Sequence, residues 1–511
     1  MTTLEASDPA PAAAARWAGL AVVGLVVLAT LYAAFTLYLA GQPLLGVLML
    51  VLAGAVAAIF SRPAFYATRF IFPGLVAVAV FIAFPVAYTI GLGFTNYSSF
   101  NLLTFERATE VILSRGTVDP ETEQPFALIP DGDGLRLALP EAGLISEPLA
   151  LDGTETEIVL APGTPAAEPL AMRDVVARRA ALQALTLTGP DGLRLQSSGL
   201  RRFAAITPEY TPRPDGTLLG AGGDVLTPNH EIGFYETETG EAVAPGWRVF
   251  VGLENFERIF ASEGIRGPMV SIFLWTVAFA FLSMAGCFAV GLTLAVILQW
   301  PHLAGRGIYR ILLILPYAVP AFISILVFRG LFNQNFGEVN LILEALFGLR
   351  PEWFTDGGLA RTMIVIVNIW LGYPYMMLLA MGFLQNVPAD HKKAAALEGA
   401  GAMRVFFTIT LPQIVPPFLP LLIATFAFNF NNLVLILLLT RGLPDIPGTV
   451  IPAGQTDILG SFTYRIAFTD SAQQFGLAGA ITFLIFVVVA ALAYANFVAM
   501  RRAADRRFKG T

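Results

Sequence analysis

The stretch that decides the fold is Lys393–Pro412, KAAALEGAGAMRVFFTITLP, which lies between two long apolar runs. A connection that only reversed the chain could be a few polar residues long. Here Ala, Gly and Pro stand at fixed spacing, and Ile409-Thr410-Leu411-Pro412 leads into the next apolar run. The pattern predicts an ordered contact surface held at the face of a membrane.

Composition supports a membrane protein, because 56% of the 511 residues are hydrophobic and only 13% are charged. Soluble domains average about a quarter charged residues. The single cysteine, Cys287, excludes a disulfide within one chain. The first apolar run is too long for the h-region of a signal peptide, so we expect no cleaved leader.

Eight apolar segments are long enough to cross the hydrocarbon core, which takes about 20 residues of helix. Gly41-Gln42-Pro43 predicts a tight reversal between the first two spans. The predicted spans are Trp17–Ala40, Leu44–Phe60, Phe70–Phe94, Met269–Leu298, Ile311–Phe328, Thr362–Leu384, Val415–Leu439 and Phe475–Met500.

Charge divides the chain into two parts. Residues 95–268 carry 13 Arg and 25 Asp or Glu, a net charge of −12, and the remainder carries 18 Lys or Arg and 12 Asp or Glu, a net charge of +6. Lys and Arg of short loops are retained in the cytoplasm. An internal N-terminus puts 13 of them there, which predicts that both termini are cytoplasmic and that the acidic segment lies outside.

The acidic segment after the third span predicts a mainly β domain. Short alternating runs at Gly134–Leu139, Glu157–Leu160 and Leu193–Gln196 are separated by Pro-Asp-Gly turns. The predicted organisation is therefore 1–94 with three spans, 95–268 as an extracytoplasmic domain, and 269–511 with five spans. The insert either has a separate role or is only a solvated insertion. Residues 247–260 predict either an amphipathic helix at the outer interface or a simple lead-in turn.

Catalytic and nucleotide-binding motifs are missing from the sequence. No phosphate-binding loop of the G-x-x-x-x-G-K-[ST] type occurs, and Lys is confined to positions 392, 393 and 509. The histidines His230, His302 and His391 show no metal-ligand spacing. The spans also lack an acidic or histidine relay. We expect no enzymatic activity and no bound cofactor on this chain. If the protein moves a solute uphill, another subunit supplies the energy.

A polar stripe runs along the seventh span. Thr425, Phe428, Asn429 and Asn432 fall at i, i+3, i+4 and i+7, which is one face of a helix. An unpaired amide is costly in hydrocarbon, so this face must meet other helices or a polar cavity. Hydrogen bonding between helices and a solute site are both consistent with the stripe.

The sixth span offers a partner for this stripe in Trp370-Leu371-Gly372-Tyr373-Pro374-Tyr375, where Gly372 and Tyr375 share a face. Amides and a phenol both donate and accept hydrogen bonds, as hydroxyl-rich solutes require. An uncharged site of this kind favours a neutral sugar over an ion. Aromatic residues at helical spacing are also typical of simple packing, so that alternative stays open.

The opening segment resembles the coupling loop, called the EAA loop, of binding-protein-dependent ABC importer permeases. Six residues match that family's pattern in register: Ala394, Ala395, Gly399, Ile409, Leu411 and Pro412. Eight spans and a large outer domain after the third make the chain similar to the larger permease subunits of maltose/maltodextrin importers. The resemblance implies the all-α importer-permease fold in the bacterial inner membrane.

The resemblance also implies a set of partners and sites. The partners are a second permease subunit, two copies of a cytoplasmic ATPase that holds ATP and magnesium, an extracytoplasmic sugar-binding protein, a neutral sugar and the lipid bilayer, with no nucleic acid. The coupling loop, residues 388–412, would begin its helix near Asp390 as N-cap and sit in the ATPase. The sugar site would comprise Gly372, Tyr375, Thr425, Phe428, Asn429 and Asn432.

One position departs from the family pattern, because Lys393 stands where an acidic residue opens the loop. Glu398 offers a carboxylate on a different face of the helix. Two other functions compete with the importer subunit. A stand-alone secondary sugar transporter would require inverted repeats and a coupling-ion site, which the sequence does not show. A membrane assembly factor with a large outer domain would leave the ordered loop unexplained.

Overall fold

The computed structural model describes residues 10–131, 134–149, 151, 157–164, 168–199, 201–300 and 302–509. It divides into a membrane unit, Met1–Thr95 with Gly252–Thr511, and an inserted unit, Asn96–Val251. The side chains of the basic tail from Arg502 onward, on which the predicted orientation partly depends, lie outside the described part.

Four helices precede the insert. They are α1 (Ala10–Leu39), α2 (Pro43–Ser61), α3 (Tyr66–Val78) and α4 (Phe84–Leu92), with a π-helical turn at Ala79–Ala83 between the last two. The predicted reversal between α1 and α2 is present, because Gly41 adopts a φ of +73° and Pro43 begins α2. Gly tolerates positive φ and Pro suits the first helical turn.

The inserted unit is mainly β. Its helices are α5 (Phe105–Leu113), α6 (Met172–Ala177) and α7 (Arg179–Ala184). Its strands are β1 (Gly116–Val118), β2 (Gln124–Pro125), β3 (Ala127–Asp131), β4 (Gly134–Leu139), β5 (Leu144–Ser146), β6 (Glu157–Pro162), β7 (Thr186–Thr188), β8 (Arg194–Ser197), β9 (Arg202–Ala204), β10 (Ile206–Pro208), β11 (Tyr210–Pro212), β12 (Leu218–Gly220), β13 (Val225–Asn229), β14 (Phe234–Glu236) and β15 (Ala242–Val243).

These strands form an eight-stranded sheet in the order β2-β9-β8-β7-β6-β5-β4-β3, a five-stranded meander β11–β15 and a β1–β10 ribbon. Neighbours are antiparallel except β6 and β7. Alternate residues of β6, Ile158 and Leu160, are buried in the core of the large sheet with Leu187 and Phe203. The three strands predicted from alternation are β4, β6 and β8, and they are confirmed with small shifts at their ends.

Twelve helices follow the insert in the described residues. They are α8 (Glu254–Ala261), α9 (Glu263–Leu298), α10 (Arg306–Ala318), α11 (Ala321–Leu331), α12 (Glu338–Phe347), α13 (Gly357–Gln385), α14 (Ala389–Leu397), α15 (Ala402–Val405), α16 (Leu411–Phe430), α17 (Leu433–Leu439), α18 (Leu459–Tyr464) and α19 (Phe475–Lys509). One π-helical turn joins α15 to α16, and a second follows α18.

The predicted fifth span is not one straight helix. Seven described helices are long and apolar enough to cross a membrane, and the pair α10 and α11, bent by 93°, makes an eighth if it is one span. The break falls at Val319-Pro320, where Val319 is extended with φ −88° and ψ 132°. Proline disfavours helical backbone in the residue before it, which explains the break.

The predicted seventh span, Val415–Leu439, has wrong boundaries. The apolar helix begins inside the coupling loop, residues 388–412, which we call the coupling segment from here on. The helix runs as Ala402–Phe430 and then breaks before α17. Periodicity did not reveal the break, although Asn431-Asn432 is a sequence that favours a helix end and an N-cap. The break places irregular backbone beside Asn431 and Asn432, within the apolar part of the chain.

The segment 247–260 forms a helix only over its second half, as α8. Asn255 of α8 is buried and donates hydrogen bonds to the backbone oxygens of Gly93 at 3.0 Å and Thr95 at 2.8 Å. The helix therefore belongs to the membrane unit, and the inserted unit ends at Val251 rather than at 268. The predicted fold class, membrane all-α with a mainly β insert after the third span, is confirmed.

Candidate transport site

A chain of side-chain amides links α13 to the end of α16. Asn368 Nδ2 donates to Asn429 Oδ1 at 2.7 Å, and Asn432 Nδ2 donates to Asn368 Oδ1 at 3.2 Å. Asn429 Nδ2 in turn donates to the backbone oxygen of Thr425 at 2.9 Å. We call Asn368, Asn429 and Asn432 the amide chain. Asn368 is the twelfth of the 29 residues of α13, so the chain lies near the middle of a span.

The break between α16 and α17 creates this geometry. Asn432 does not continue the helical face of Thr425 and Asn429, because the helix ends at Phe430. Asn432 instead caps α17, where its Oδ1 accepts a hydrogen bond from Leu435 N at 3.4 Å. Irregular backbone at membrane depth is tolerated where it is buried in protein or lines a cavity. The break therefore marks this region as a candidate site.

The other predicted residues take different positions. Tyr375 is 41% exposed and Phe428 is 70% exposed, so both rings are accessible, while Thr425 Oγ1 donates to the Leu421 backbone oxygen at 2.9 Å. Gly372 packs against the fourth span: a Cβ on it would lie 2.5 Å from Cys287 Sγ. Gly372 thus permits close approach of α13 to α9.

Asn368 was missed at the level of sequence, although it is 5% exposed and joins both other amides. A signal was available, because Asn368, Gly372 and Tyr375 fall at i, i+4 and i+7 on one helix face. An Asn on the same helix face as Gly372 and Tyr375 is therefore a candidate site residue that the sequence alone can indicate.

The amide chain is neutral, and its amides can form more hydrogen bonds than they form with one another. Each Asn amide has two donor hydrogens and an oxygen with two lone pairs. Each amide can therefore exchange a neighbouring amide for a sugar hydroxyl without moving a proton or a charge. Asn429 is only 3% exposed. A solute would reach it only when α13 and α16 separate, which is the kind of movement that alternating access requires.

The coupling segment folds as predicted into an ordered helix and turn. Helix α14 ends at Leu397, and Gly399 follows with a φ of +80°. Gly399 N donates to Ala396 O at 3.1 Å and Ala400 N donates to Ala395 O at 2.9 Å. This pair of bonds is a Schellman motif, whose left-handed position strongly favours glycine. The fixed Gly of the pattern therefore has a backbone cause.

Two details of this segment differ from expectation or extend it. Asp390 is not the N-cap of α14, because Pro388 occupies that position and Asp390 lies in the first turn, where a carboxylate favours the helix dipole. Lys393 Nζ lies 3.4 Å from Asp390 Oδ1, with both side chains exposed. Glu398 follows α14 directly, and Ile409, Leu411 and Pro412 lie at the π-turn and the start of α16.

A second polar network is charged and lies in the segment between α17 and α19. Asp457, which is fully buried, accepts hydrogen bonds from Arg465 Nη1 at 2.8 Å, Ser461 Oγ at 2.7 Å and Gly454 N at 2.8 Å. Arg465 Nη2 also binds Asp445 Oδ1 at 2.7 Å. Burial alone would lower the pKa of Arg465, but the two carboxylates outweigh burial and raise that pKa.

Family models match two parts of the chain. Residues 288–503 match the family described as "Binding-protein-dependent transport system inner membrane component". Residues 103–252 match the "Maltose transport system permease protein MalF P2 domain". Together with the apolar helices, these matches define a multi-pass inner-membrane permease subunit with a P2-type insert.

Curated relatives narrow the class. The chain is 46% identical to the "Maltose/maltodextrin transport system permease protein MalF" of Escherichia coli (strain K12), over 96% of this chain and 98% of that protein. It is also 46% identical to the MalF protein of Vibrio parahaemolyticus serotype O3:K6, over 99% and 98%. The chain belongs to the MalF family of permease subunits. Among solved structures, a bacterial ABC transporter involved in the import of alginate matches with 21% identity, covers 49% of this chain and 84% of its own, and has a TM-score of 0.42.

Proposed function

We propose that this chain is the larger permease subunit of an ATP-driven importer of maltose or maltodextrins, and that it forms half of the translocation path. The observation that carries this proposal is the neutral amide chain beside a broken span. Hydroxyl groups need paired donors and acceptors, which amides supply. The relatives named above transport maltose and maltodextrin by their names, which fits a neutral sugar.

The sugar site comprises the amide chain and the residues around it. Tyr375 and Phe428 offer exposed rings to the C–H faces of a glucose unit, while Asn429 and Asn432 offer amides. The backbone oxygen of Thr425 accepts a hydrogen bond from Asn429, at the edge of the amide chain. Gly372 serves the site by allowing α13 and α9 to pack closely. Asn368 joins the set because it bonds both neighbouring amides.

The coupling segment contacts a cytoplasmic ATPase. Leu397 is 90% exposed and Met403 is 71% exposed, which is unusual for a polar connection and typical of a protein contact. Its partner would hold ATP and magnesium, and ATP hydrolysis would act through differential affinity of the ATPase pair for two states of the permease. Lys393 lies 3.4 Å from Asp390 with both side chains exposed, and the exposed Leu397 and Met403 offer a contact that needs no acid at position 393.

The full assembly would contain a second permease subunit, two copies of the ATPase and an extracytoplasmic sugar-binding protein. The short-loop charges support cytoplasmic termini, which puts the inserted domain outside. There the insert is placed to meet the binding protein. This arrangement also explains why no energy-converting motif occurs in the chain itself.

The test is sugar uptake by the reconstituted transporter with substitutions in the site. Asn432→Ala and Tyr375→Ala should each raise the sugar concentration for half-maximal uptake by roughly tenfold, because each removes a contact of about 1.4 kcal/mol. Asn431→Ala is the matched control, since Asn431 is exposed and bonds only its own helix, at Ala427 O. Normal uptake by both site variants would make the amide chain structural.

A further inference from the structure

A groove at one end of the membrane unit is separate from the amide chain. The start of α9, the first turn of α13 and the segment between α17 and α18 form it, and its volume is about 460 Å³. Small-molecule sites span roughly 300–1,000 Å³. We call it the vestibule groove, and its polar lining is Glu263, Ser271, Arg361, Thr449 and Gln455.

Arg361 is held in place on one wall of the vestibule groove. Its Nε donates to the backbone oxygen of Gln455 at 2.8 Å, and its guanidinium carbon lies 4.9 Å from the centre of the Trp275 ring. Glu263, the acid in the lining, pairs instead with Arg266 at 3.9 Å. The outer nitrogens of Arg361 are therefore positioned without a carboxylate from the lining to neutralise them.

The wall formed by the segment between α17 and α18 is tied together by hydrogen bonds, including one to the charged network. Gly454 N donates to Asp457 Oδ2, Thr456 Oγ1 donates to Leu443 O at 2.7 Å, and Ile446 N donates to Ala453 O at 2.9 Å. These bonds fold the segment from Leu443 to Asp457 onto itself. A site whose walls are fixed before binding loses less entropy when a ligand arrives.

The chemistry of the lining suits hydroxyl groups. Arg361 donates, Glu263 accepts, and the hydroxyl and amide side chains can do both. A carboxylate ligand would meet the negative charge of Glu263 in the same groove. Pro268, Ile446 and Pro447 add apolar surface for the C–H face of a sugar ring. This mixture of donors, acceptors and apolar surface complements the hydroxyl groups and the C–H face of a glucose unit.

The vestibule groove and the amide chain share one face of α13. Arg361 and Asn368 are seven residues apart, so they differ by about 20° around the helix and about 10 Å along its axis. The groove lies where α9 begins, shortly after the chain returns from the insert at Gly252. It therefore lies close along the chain to the point where the insert ends.

We propose that the vestibule groove is an outer sugar subsite, which holds glucose units of a maltodextrin before they reach the amide chain. The proposal rests on the proposed function, which puts this end outside. A chain of several glucose units would contact the groove and the amide chain together, whereas maltose would occupy them in turn. Blocking the groove should therefore slow the transfer of sugar into the spans.

Gly267 provides the substitution that tests this. It lines the groove on α9, and a Cβ on it would meet no atom within 4 Å. Gly267→Trp would fill the groove, and Gly267→Ala is its matched control because it adds only a methyl group to the same helix. The complete transporter with its ATPase, second permease and binding protein is reconstituted in liposomes. Maximal uptake of maltose and maltoheptaose is then measured with saturating sugar-loaded binding protein.

We expect Gly267→Trp to lower the maximal uptake of maltoheptaose about tenfold, as the loss of one or two hydrogen bonds of ordinary strength would. Gly267→Ala should match the unsubstituted protein. The binding-protein concentration that half-stimulates ATP hydrolysis should not change. Ser271→Ala, which removes one hydroxyl, should lower the same rate about threefold, and it serves if Gly267→Trp does not assemble with the ATPase.

Two results would overturn the proposal. Unchanged uptake in an assembled Gly267→Trp transporter, or in Ser271→Ala if the first fails to assemble, would show that sugar does not use the groove. A raised half-stimulating concentration of binding protein with unchanged maximal uptake would make the groove a protein contact. Failure of the proposed function itself would look different, because the unsubstituted transporter would then show no ATP-dependent uptake.

Discussion

The amide chain and the Asp457–Arg465 network are both buried and polar, but they differ in charge and in the cost of opening them. The amide chain joins three neutral side chains across α13, α16 and α17. The Asp457–Arg465 network joins a fully buried carboxylate to a guanidinium that is 11% exposed. Parting neutral amides costs about as much as a lost hydrogen bond, whereas removing one partner of a buried ion pair costs several times more.

This difference in charge suits the two networks to different parts of the proposed transport cycle. A site that must release one set of hydrogen bonds and accept a sugar in each cycle is best made of neutral groups that water or hydroxyls can replace. A loop that must stay folded while the spans move is best held by charges whose separation is costly. The comparison therefore predicts a movable middle and a fixed end in the membrane unit.

The largest expected effect is on the charged network. Arg465→Met should destabilise the chain by about 3–5 kcal/mol, because it leaves Asp457 buried without its counter-charge. Thermal unfolding of the detergent-purified chain measures this. Asp445→Asn is the control: Asp445 is 61% exposed, so its pair with Arg465 should contribute about 1 kcal/mol or less. An equal loss of stability in the two variants would show that burial of the carboxylate partner does not decide the strength of the pair.

The next effect concerns the amide chain. Asn429→Ala should cost about 1–3 kcal/mol, because Asn368 loses the acceptor of its buried N–H. Replacing both Asn368 and Asn429 by Leu should restore much of that stability, since the buried donor and its acceptor are removed together and only the half-buried Asn432 loses a partner, yet sugar uptake should remain lost. Thermal unfolding and uptake are measured on the same preparations. A stable double variant that still transports sugar would contradict the proposed role of the amides in sugar binding, because the amides would then be structural.

A smaller effect is expected in the coupling segment, whose proposed role requires it to keep its shape. Gly399→Ala forces a side chain into a left-handed position and should cost about 1 kcal/mol, or fivefold in the population of the ordered turn. Gly401→Ala is the matched control, because Gly401 has a φ of −67° that any residue adopts. The measurement is stimulation of ATP hydrolysis by the loaded binding protein. A drop for Gly401→Ala equal to that for Gly399→Ala would show that the left-handed turn is not what matters.

Sequence reasoning was most successful where periodicity and composition act locally. The long apolar runs, the mainly β insert after the third span and the strand β4 follow from patterns that need no tertiary information. The ordered coupling segment was also predictable, and the structure adds the reason for Gly399. These features depend on short stretches whose backbone preferences agree with the fold.

The failures occur where apolar helices break. The pair Asn431-Asn432 offered a capping signal for the end of α16 at Phe430, but helical periodicity placed Asn432 on a face that does not continue. Proline at position 320 did offer a signal for the bend between α10 and α11. Asn368 was missed because a single polar residue in a long apolar run gains meaning only when its partners from another span are known. The buried pair of Asp457 and Arg465 likewise depends on a fold-back that composition does not encode.

The smallest effect concerns an exposed ion pair, to be compared with the buried pair of Asp457 and Arg465. Arg194 Nη2 lies 2.6 Å from Glu157 Oε1 on the large sheet of the insert, with both side chains more than half exposed. The hydrogen bond and the charge of Arg194 lower the pKa of Glu157 from its ordinary value of about 4.5. A lowered pKa gives stability that is present above the ordinary pKa and is lost as the pH falls through the folded-state pKa. Glu157→Gln should therefore lower the unfolding temperature slightly at pH 7, and the difference from the unsubstituted chain should disappear as the pH falls through the lowered folded-state pKa. Thermal unfolding of the intact chain across this range checks the sign. A difference that grew as the pH fell would mean that Glu157 is stabilised in its protonated form and that this exposed pair does not behave as screened charges.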